Sequence, residues 1–338
     1  MQDMHRTDPI VPSEASTILQ VCETDVPLHV FARDGAGVGK GDGAQNGTLR
    51  DELCLAMVTG IEGPSYRPLG AAMVISASGD HWGTLSSGCI EDDVILHARD
   101  ALNSGEGKRL RYGRGSPYMD LQLPCGGGLD ITLIPRPEPR VIANALACLG
   151  TRRPLRLTVT QDNRLTNGRL VSGAQTGGHT FEIQPRPRLV IFGKGPEARA
   201  LFDMAHATDI EALLYSPDID PKTETAEGAY PFTGPGWPDT PQDAVQLDAR
   251  SAVALFFHDH DKEPPLLAHA LASPAFYVGA LGSAAARATR EMMLETLGVP
   301  RDQIDRMVKP FGLVAHARAP YAIAAGVLAQ VFEYAKLD

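Results

Sequence analysis

Leu189-Val-Ile-Phe192-Gly193-Lys-Gly195-Pro196-Glu-Ala198 decides the fold of the C-terminal half. Leu189–Phe192 is a short apolar strand, and the G-x-G-x-x-A turn lets backbone N–H groups approach a phosphate at a helix start. Pro196 suits the first helical position, and Lys194 adds a positive charge beside the turn. Further strands are expected at Ile210–Tyr215, Ala252–Phe257 and Phe276–Leu281, with helices at Pro265–Leu271 and Gly282–Leu297. After Pro320, the residues Ile323, Val327, Val331 and Tyr334 mark one face of a last helix. Strand–helix alternation of this kind predicts a doubly wound α/β domain.

A nicotinamide site in such a domain should show an acid about 20 residues past the turn, at the end of the second strand. That stretch reads Leu214-Tyr-Ser-Pro-Asp218, with the acid beyond a proline. An NAD(P)-dependent oxidoreductase is therefore the second reading, while a phosphate cradle at Gly193, Lys194 and Gly195 stands. His258-Asp-His-Asp261 closes the third strand, where such sheets bind ligands. It reads either as a hydrogen-bonded loop or as a set of metal ligands.

The N-terminal half reads differently. Strands are expected at Leu28–Phe31, Leu53–Thr59, Ala71–Ile75 and Trp82–Leu85, after a short helix over Ser13–Cys22. Ile90, Val94, Ala98 and Leu102 form one helical stripe whose first turn carries Glu91, Asp92 and Asp93, the acids a helix start favours. Leu121–Ile134 reads as strand, Cys-Gly-Gly-Gly turn, strand. Gly126–Gly128 can aim several N–H groups at one point beside Cys125, although a buried cysteine at a hairpin turn is the ordinary alternative. Cys89 stands at the predicted helix start, and Ser65 and Arg67 lie in the turn-rich Gly63–Gly70 loop, suited to an oxyanion or to a surface ion pair. The glycine-rich stretch from Gly35 to Gly43 lacks the spacing of a nucleotide-binding P-loop. Two proline clusters, Pro135–Pro139 and Pro185–Pro187, divide the chain into a domain over 1–135, a connecting segment over 136–187 and a domain over 188–338.

Composition narrows the function classes. The 338 residues carry 31 basic and 41 acidic side chains, a formal charge of −10 that disfavours nucleic acid and anionic membranes. Five scattered cysteines with no CxxC pair argue against a disulfide framework and for a reducing compartment. With neither a signal peptide nor a spanning apolar run, the expectation is a cytoplasmic protein.

Together these segments resemble the XdhC/CoxI family, accessory factors of xanthine dehydrogenase and related molybdenum hydroxylases. The likeness rests on Gly63-Pro-Ser-Tyr-Arg67-Pro-Leu-Gly70-Ala71, Gly83-Thr-Leu-Ser-Ser-Gly88-Cys89-Ile-Glu91 and Cys125-Gly126-Gly127. In the second half it rests on His258–Asp261, Tyr277-Val-Gly279-Ala-Leu-Gly282-Ser283, Pro310-Phe-Gly312-Leu313 and the helix start at Ala319-Pro320. Pro64 before Ser65 and Ser87 before Gly88 depart from the family pattern, which has glycines there. The resemblance implies an N-terminal α+β domain of the XdhC type followed by a Rossmann-like domain. It also implies a chaperone rather than an enzyme, one that binds the molybdenum cofactor, a molybdopterin carried with a phosphate or dinucleotide tail. On this reading a cysteine desulfurase exchanges a Mo=O ligand for Mo=S, and the cofactor passes to a molybdenum hydroxylase client; a homodimer is expected. Ser65, Arg67, Cys89, Glu91, Cys125, Gly126, Gly127, Gly193, Lys194, Gly195, His258, Asp261, Gly282 and Ser283 are the expected cofactor-binding residues, with Cys125 as the molybdenum contact. A scaffold that docks desulfurase to client without holding cofactor is the third reading.

Overall fold

The computed structural model describes residues 19–32, 52–116, 123–168, 178–232, 234, 236–238, 245–257 and 262–336. The chain divides into two compact units, Met1–Pro185 and Arg186–Asp338.

The first unit runs β1 (Leu19–Cys22), β2 (Leu53–Glu62), β3 (Ala72–Ser76), β4 (His81–Gly83), α1 (Glu91–Ser104), β5 (Lys108–Gly113), β6 (Gly128–Pro135), α2 (Pro139–Gly150), β7 (Leu155–Val159), β8 (Leu165–Asn167) and β9 (His179–Gln184). Five of its strands make an antiparallel sheet in the order β4-β3-β2-β6-β5. The uninterrupted apolar run of β2 has a simple cause: both faces of the sheet are covered. Cys54, Ala56 and Val58 point to a core shared with Val94, Ala98 and Leu102 of α1. Leu55 and Met57 point the other way, onto Val141 and Ile142 of α2 and onto Leu157 and Phe181 of a second sheet. That second sheet has the order β1-β9-β7-β8, with β1 parallel to β9.

The segment over 136–187 thus carries α2 and three strands packed into the core of the first unit. Two sequence expectations are corrected. Leu19–Cys22 belongs to a strand rather than a helix, because β9 offers it a four-residue parallel pairing. Leu28–Phe31 is a 3-10 turn after Pro27, burying Leu28, Val30 and Phe31 together, which a strand of period two does not do. The rest of the expected N-terminal helix and the glycine-rich stretch lie outside the described residues.

The second unit runs β10 (Arg188–Gly193), α3 (Pro196–His206), β11 (Glu211–Ser216), β12 (Ala229–Pro231), β13 (Ser251–Phe256), α4 (Glu263–Ala272), β14 (Tyr277–Ala280), α5 (Ala284–Thr296), α6 (Arg301–Ile304) and α7 (Pro320–Ala335). Its five parallel strands are ordered β12-β11-β10-β13-β14, which is 3-2-1-4-5 in sequence order. This is the Rossmann order, and its switch point lies between β10 and β13, whose carboxyl ends carry the glycine turn. Leu189 and Ile191 face α3 and α7 on one side of the sheet. Val190 and Phe192 face α4 and an aromatic group on the other. Phe192 stacks on Tyr215 at 5.1 Å and meets Phe232 and Trp237 at 5.4 and 5.0 Å between ring centroids. Among the described residues no helix joins β12 to β13, and these rings cover the sheet there. No described helix is long and apolar enough to cross a membrane.

Candidate functional site

In the first unit three loops converge. The loop between β2 and β3 is folded on Ser65, whose hydroxyl donates to the Arg67 carbonyl (2.8 Å) and accepts from the Arg67 N–H (3.3 Å). Arg67 itself pairs with Asp25, and its Nε is a buried donor without a hydrogen-bond partner. Asp25 therefore holds the guanidinium of a side chain expected to bind cofactor, and the surface ion pair named as the alternative is what forms.

The loop between β4 and α1 is organised by Glu91. Its buried carboxylate accepts from the hydroxyls of Thr84 (2.6 Å) and Ser86 (2.7 Å) and from the N–H groups of Leu85 (3.0 Å), Ser86 (2.9 Å) and Ile90 (3.1 Å). Burial alone would raise its pKa, but the bonds from Thr84, Ser86 and Leu85 outweigh that and hold it at about 2. Ser86 Oγ in turn accepts from the Cys89 N–H at 3.0 Å. Glu91 thus anchors the loop that carries Cys89.

The third loop is the turn before β6. The Gly126 N–H donates to the Leu123 carbonyl at 2.8 Å, with φ of +70° at Gly126. A Cβ on Gly127 would collide with the Pro64 carbonyl oxygen, so this turn lies directly against the first loop. The result is a small crevice lined by Ser65, Tyr66, Ser86, Cys89, Pro124 and Cys125 over Leu123 and Leu129. All five cysteines are free; Cys89 is exposed and Cys125 half-buried. The sequence separates Cys89 from Cys125 by a helix and a strand, and the sheet brings them to one place. A larger cavity of about 540 Å³ lies elsewhere in this unit, lined by Arg109, Gln161, Gly178 and His179. It holds no soft donor, and Arg109 is committed to Asn163 Oδ1 at 2.9 Å.

In the second unit the glycine turn sits at the carboxyl ends of β10 and β13. A Cβ on Gly193 would lie 2.5 Å from the Phe256 carbonyl oxygen, so only glycine fits there. Gly195 precedes α3 with φ of +85°, and Lys194 is exposed. The Gly195 N–H, expected to face a phosphate, donates to Asp218 Oδ2 at 2.7 Å. Asp218 is the acid that counting along the sequence placed too far along; the chain turns back after β11, with the Asp218 N–H on Ser216 Oγ at 3.1 Å. The Ser-Pro-Asp ending of that strand was the available signal.

At the end of β14, Ser283 caps α5 by accepting from the Ala286 N–H at 3.2 Å. A Cβ on Gly282 would meet the guanidinium of Arg290. Arg290 is almost fully buried, paired with Glu263 at 2.6 Å and bonded to the Leu281 carbonyl. His258 and Asp261 lie outside the described residues. Among the described residues no group of three or more His, Cys, Asp or Glu is placed to hold a metal ion.

Comparison with known proteins shows the family. Residues 50–113 match the XdhC and CoxI family, and residues 189–331 match the XdhC Rossmann domain. The molybdenum cofactor insertion chaperone PaoD of Escherichia coli (strain K12) is 33% identical over 282 residues, 82% of this chain and 81% of that protein. The chain belongs to the XdhC and CoxI family. A second relative, a probable xanthine dehydrogenase subunit of Bacillus subtilis (strain 168), is 22% identical over 326 residues, 85% of this chain and 94% of its own. The crystal structure of a xanthine dehydrogenase from Bacillus halodurans superposes with a TM-score of 0.65 at 20% identity, over 84% of this chain and 91% of that one, and shares the fold. The XdhC/CoxI match over 50–113 contains two of the three crevice loops, and the XdhC Rossmann match contains the whole glycine turn.

Proposed function

We propose that this chain is a molybdenum cofactor-binding chaperone that supports sulfuration of the cofactor and its insertion into a client of the xanthine dehydrogenase or aldehyde oxidoreductase type. One observation carries the reading. Cys89 and Cys125 meet at one crevice in a chain a third identical to a molybdenum cofactor insertion chaperone. Sulfur donors suit a thiophilic metal, and of the three glycines that follow Cys125 only Gly126 faces open space. Cys125 is the proposed contact to molybdenum, with Cys89 and Ser65 beside it. Glu91 and Gly127 serve by fixing the loops. Arg67 reaches cargo only by exchanging Asp25, and a phosphate tail at the Gly193–Ala198 turn has to displace Asp218.

The cofactor is cargo here, so the protein's work is to bind, shield and release rather than to turn over a substrate. A molybdenum hydroxylase client, a cysteine desulfurase and a second copy of this chain are the proposed partners. The test is retention of molybdenum cofactor by the purified chain, with NAD and NADP run in parallel. Retention that falls at least tenfold in Cys125→Ala supports the reading (a loss of about 1.4 kcal/mol). A protein indifferent to the cofactor overturns it.

A second reading has its own support. In a 3-2-1-4-5 sheet, an acid against the glycine turn is placed as a ribose-binding acid is. An NAD(P)-dependent oxidoreductase therefore stays as the alternative. Tight nicotinamide binding that is lost in Asp218→Asn, with no cofactor retention, would favour it.

A further inference from the structure

We propose that Cys89 and Cys125 are a redox pair that a peroxide closes to a disulfide, sealing the crevice between their loops. The crevice that both residues line has a volume of about 10 Å³, room for a single water molecule. Both thiols thus border one narrow space, and a disulfide needs their Cα atoms brought to roughly 4.4–6.8 Å.

Each of the two cysteines has a glycine in open space beside it. Gly88 precedes Cys89 and Gly126 follows Cys125, and a Cβ on either glycine would meet nothing within 4 Å. Access and position together select the same two thiols. Cys54 is fully buried, its thiol pushed up to about 12 by desolvation, and Cys22 is buried in β1. Cys148 lies on α2, packed against the opposite core of the sheet.

The chemistry balances with hydrogen peroxide as oxidant. One thiolate attacks the peroxide, the O–O bond breaks, and a sulfenic acid and one water form. The second thiol then attacks the sulfenic sulfur, the S–S bond forms, and a second water leaves. Two electrons pass from the sulfurs to the peroxide. Closure also withdraws the Cys125 thiol from cargo, a consequence that rests on the chaperone reading above.

The full-length chain treated with hydrogen peroxide, alkylated and mapped without reductant tests the pair. It should lose two of its five thiols, yield a Cys89–Cys125 peptide, and recover both thiols with dithiothreitol. In Cys89→Ser, Cys125 should instead be trapped by dimedone as a sulfenic acid. A wild-type map without the Cys89–Cys125 peptide, or with stable sulfenic acid at both positions, overturns the pair. Retention of added molybdenum cofactor separates the two ideas. Reduced protein should retain it and oxidised protein should lose most of it. Equal retention in both states overturns the seal. A peptide that forms in a protein that never retains cofactor leaves the pair standing and removes the chaperone reading.

Discussion

Gly126 and Gly127 are neighbours with opposite reasons to be glycine. A side chain at Gly126 has open space but an unfavourable backbone, with φ of +70°, whereas one at Gly127 runs into the Pro64 carbonyl. Gly126→Ala should therefore cost about 1 kcal/mol. Gly127→Ala should cost more, roughly 2–3 kcal/mol, because backbone rather than a flexible side chain must give way. Urea unfolding of the two variants checks the order. Glu91 supplies a pH signature. Its carboxyl is held at about 2, below an ordinary value of 4.5, so its ionised form stabilises the fold fully above about pH 4.5. That contribution falls away as the pH drops towards 2. Glu91→Gln should be less stable at neutral pH by about 2–3 kcal/mol and should lose less stability than the wild type between pH 4.5 and 2, read from unfolding midpoints across that range. At this scale the sequence marks Cys89, Glu91 and Cys125 but does not reveal their geometry. The acid of a helix's first turn looks like a dipole partner, and only the fold shows it gathering five donors.

Strands buried on both faces are the easiest elements to read, and β2, β10 and β13 stand out because their apolar runs have no polar side. The strand β5, Lys-Arg-Leu-Arg-Tyr-Gly, hides because only Leu110 and Tyr112 are buried and charged residues alternate with them. Asp218 hides for another reason: a proline after β11 shifts the acid along the chain without moving it far from the turn. Gln330 is hidden on the apolar stripe of α7. Its Oε1 accepts from the Tyr277 hydroxyl (3.0 Å) and the Gly312 N–H (2.9 Å), and its Nε2 donates to the Pro310 carbonyl (3.0 Å). This one side chain fastens α7 to β14 and to the loop before it. Gln330→Leu leaves two buried polar groups, the Tyr277 hydroxyl and the Gly312 N–H, without partners and should cost about 3 kcal/mol, measured by chemical denaturation, although it makes the helix face more apolar.

The units have separate cores, and the prolines at 185 and 187 stand where the chain passes from one to the other. Calorimetry should resolve two transitions, with Glu91→Gln lowering one and Gln330→Leu the other. A single transition that both substitutions move equally would refute this. The doubly wound half is legible from sequence because each strand, turn and helix start agrees with its neighbours. The first half is less so, since β1 pairs with β9 across 162 positions and no local pattern announces such a partner. One feature of the second half also constrains its history. Glu263 and Arg290 neutralise each other where water does not reach, and either alone would leave a bare charge costing about 3–5 kcal/mol. Neither can drift without the other, so kindred chains should keep both or have exchanged both for apolar side chains.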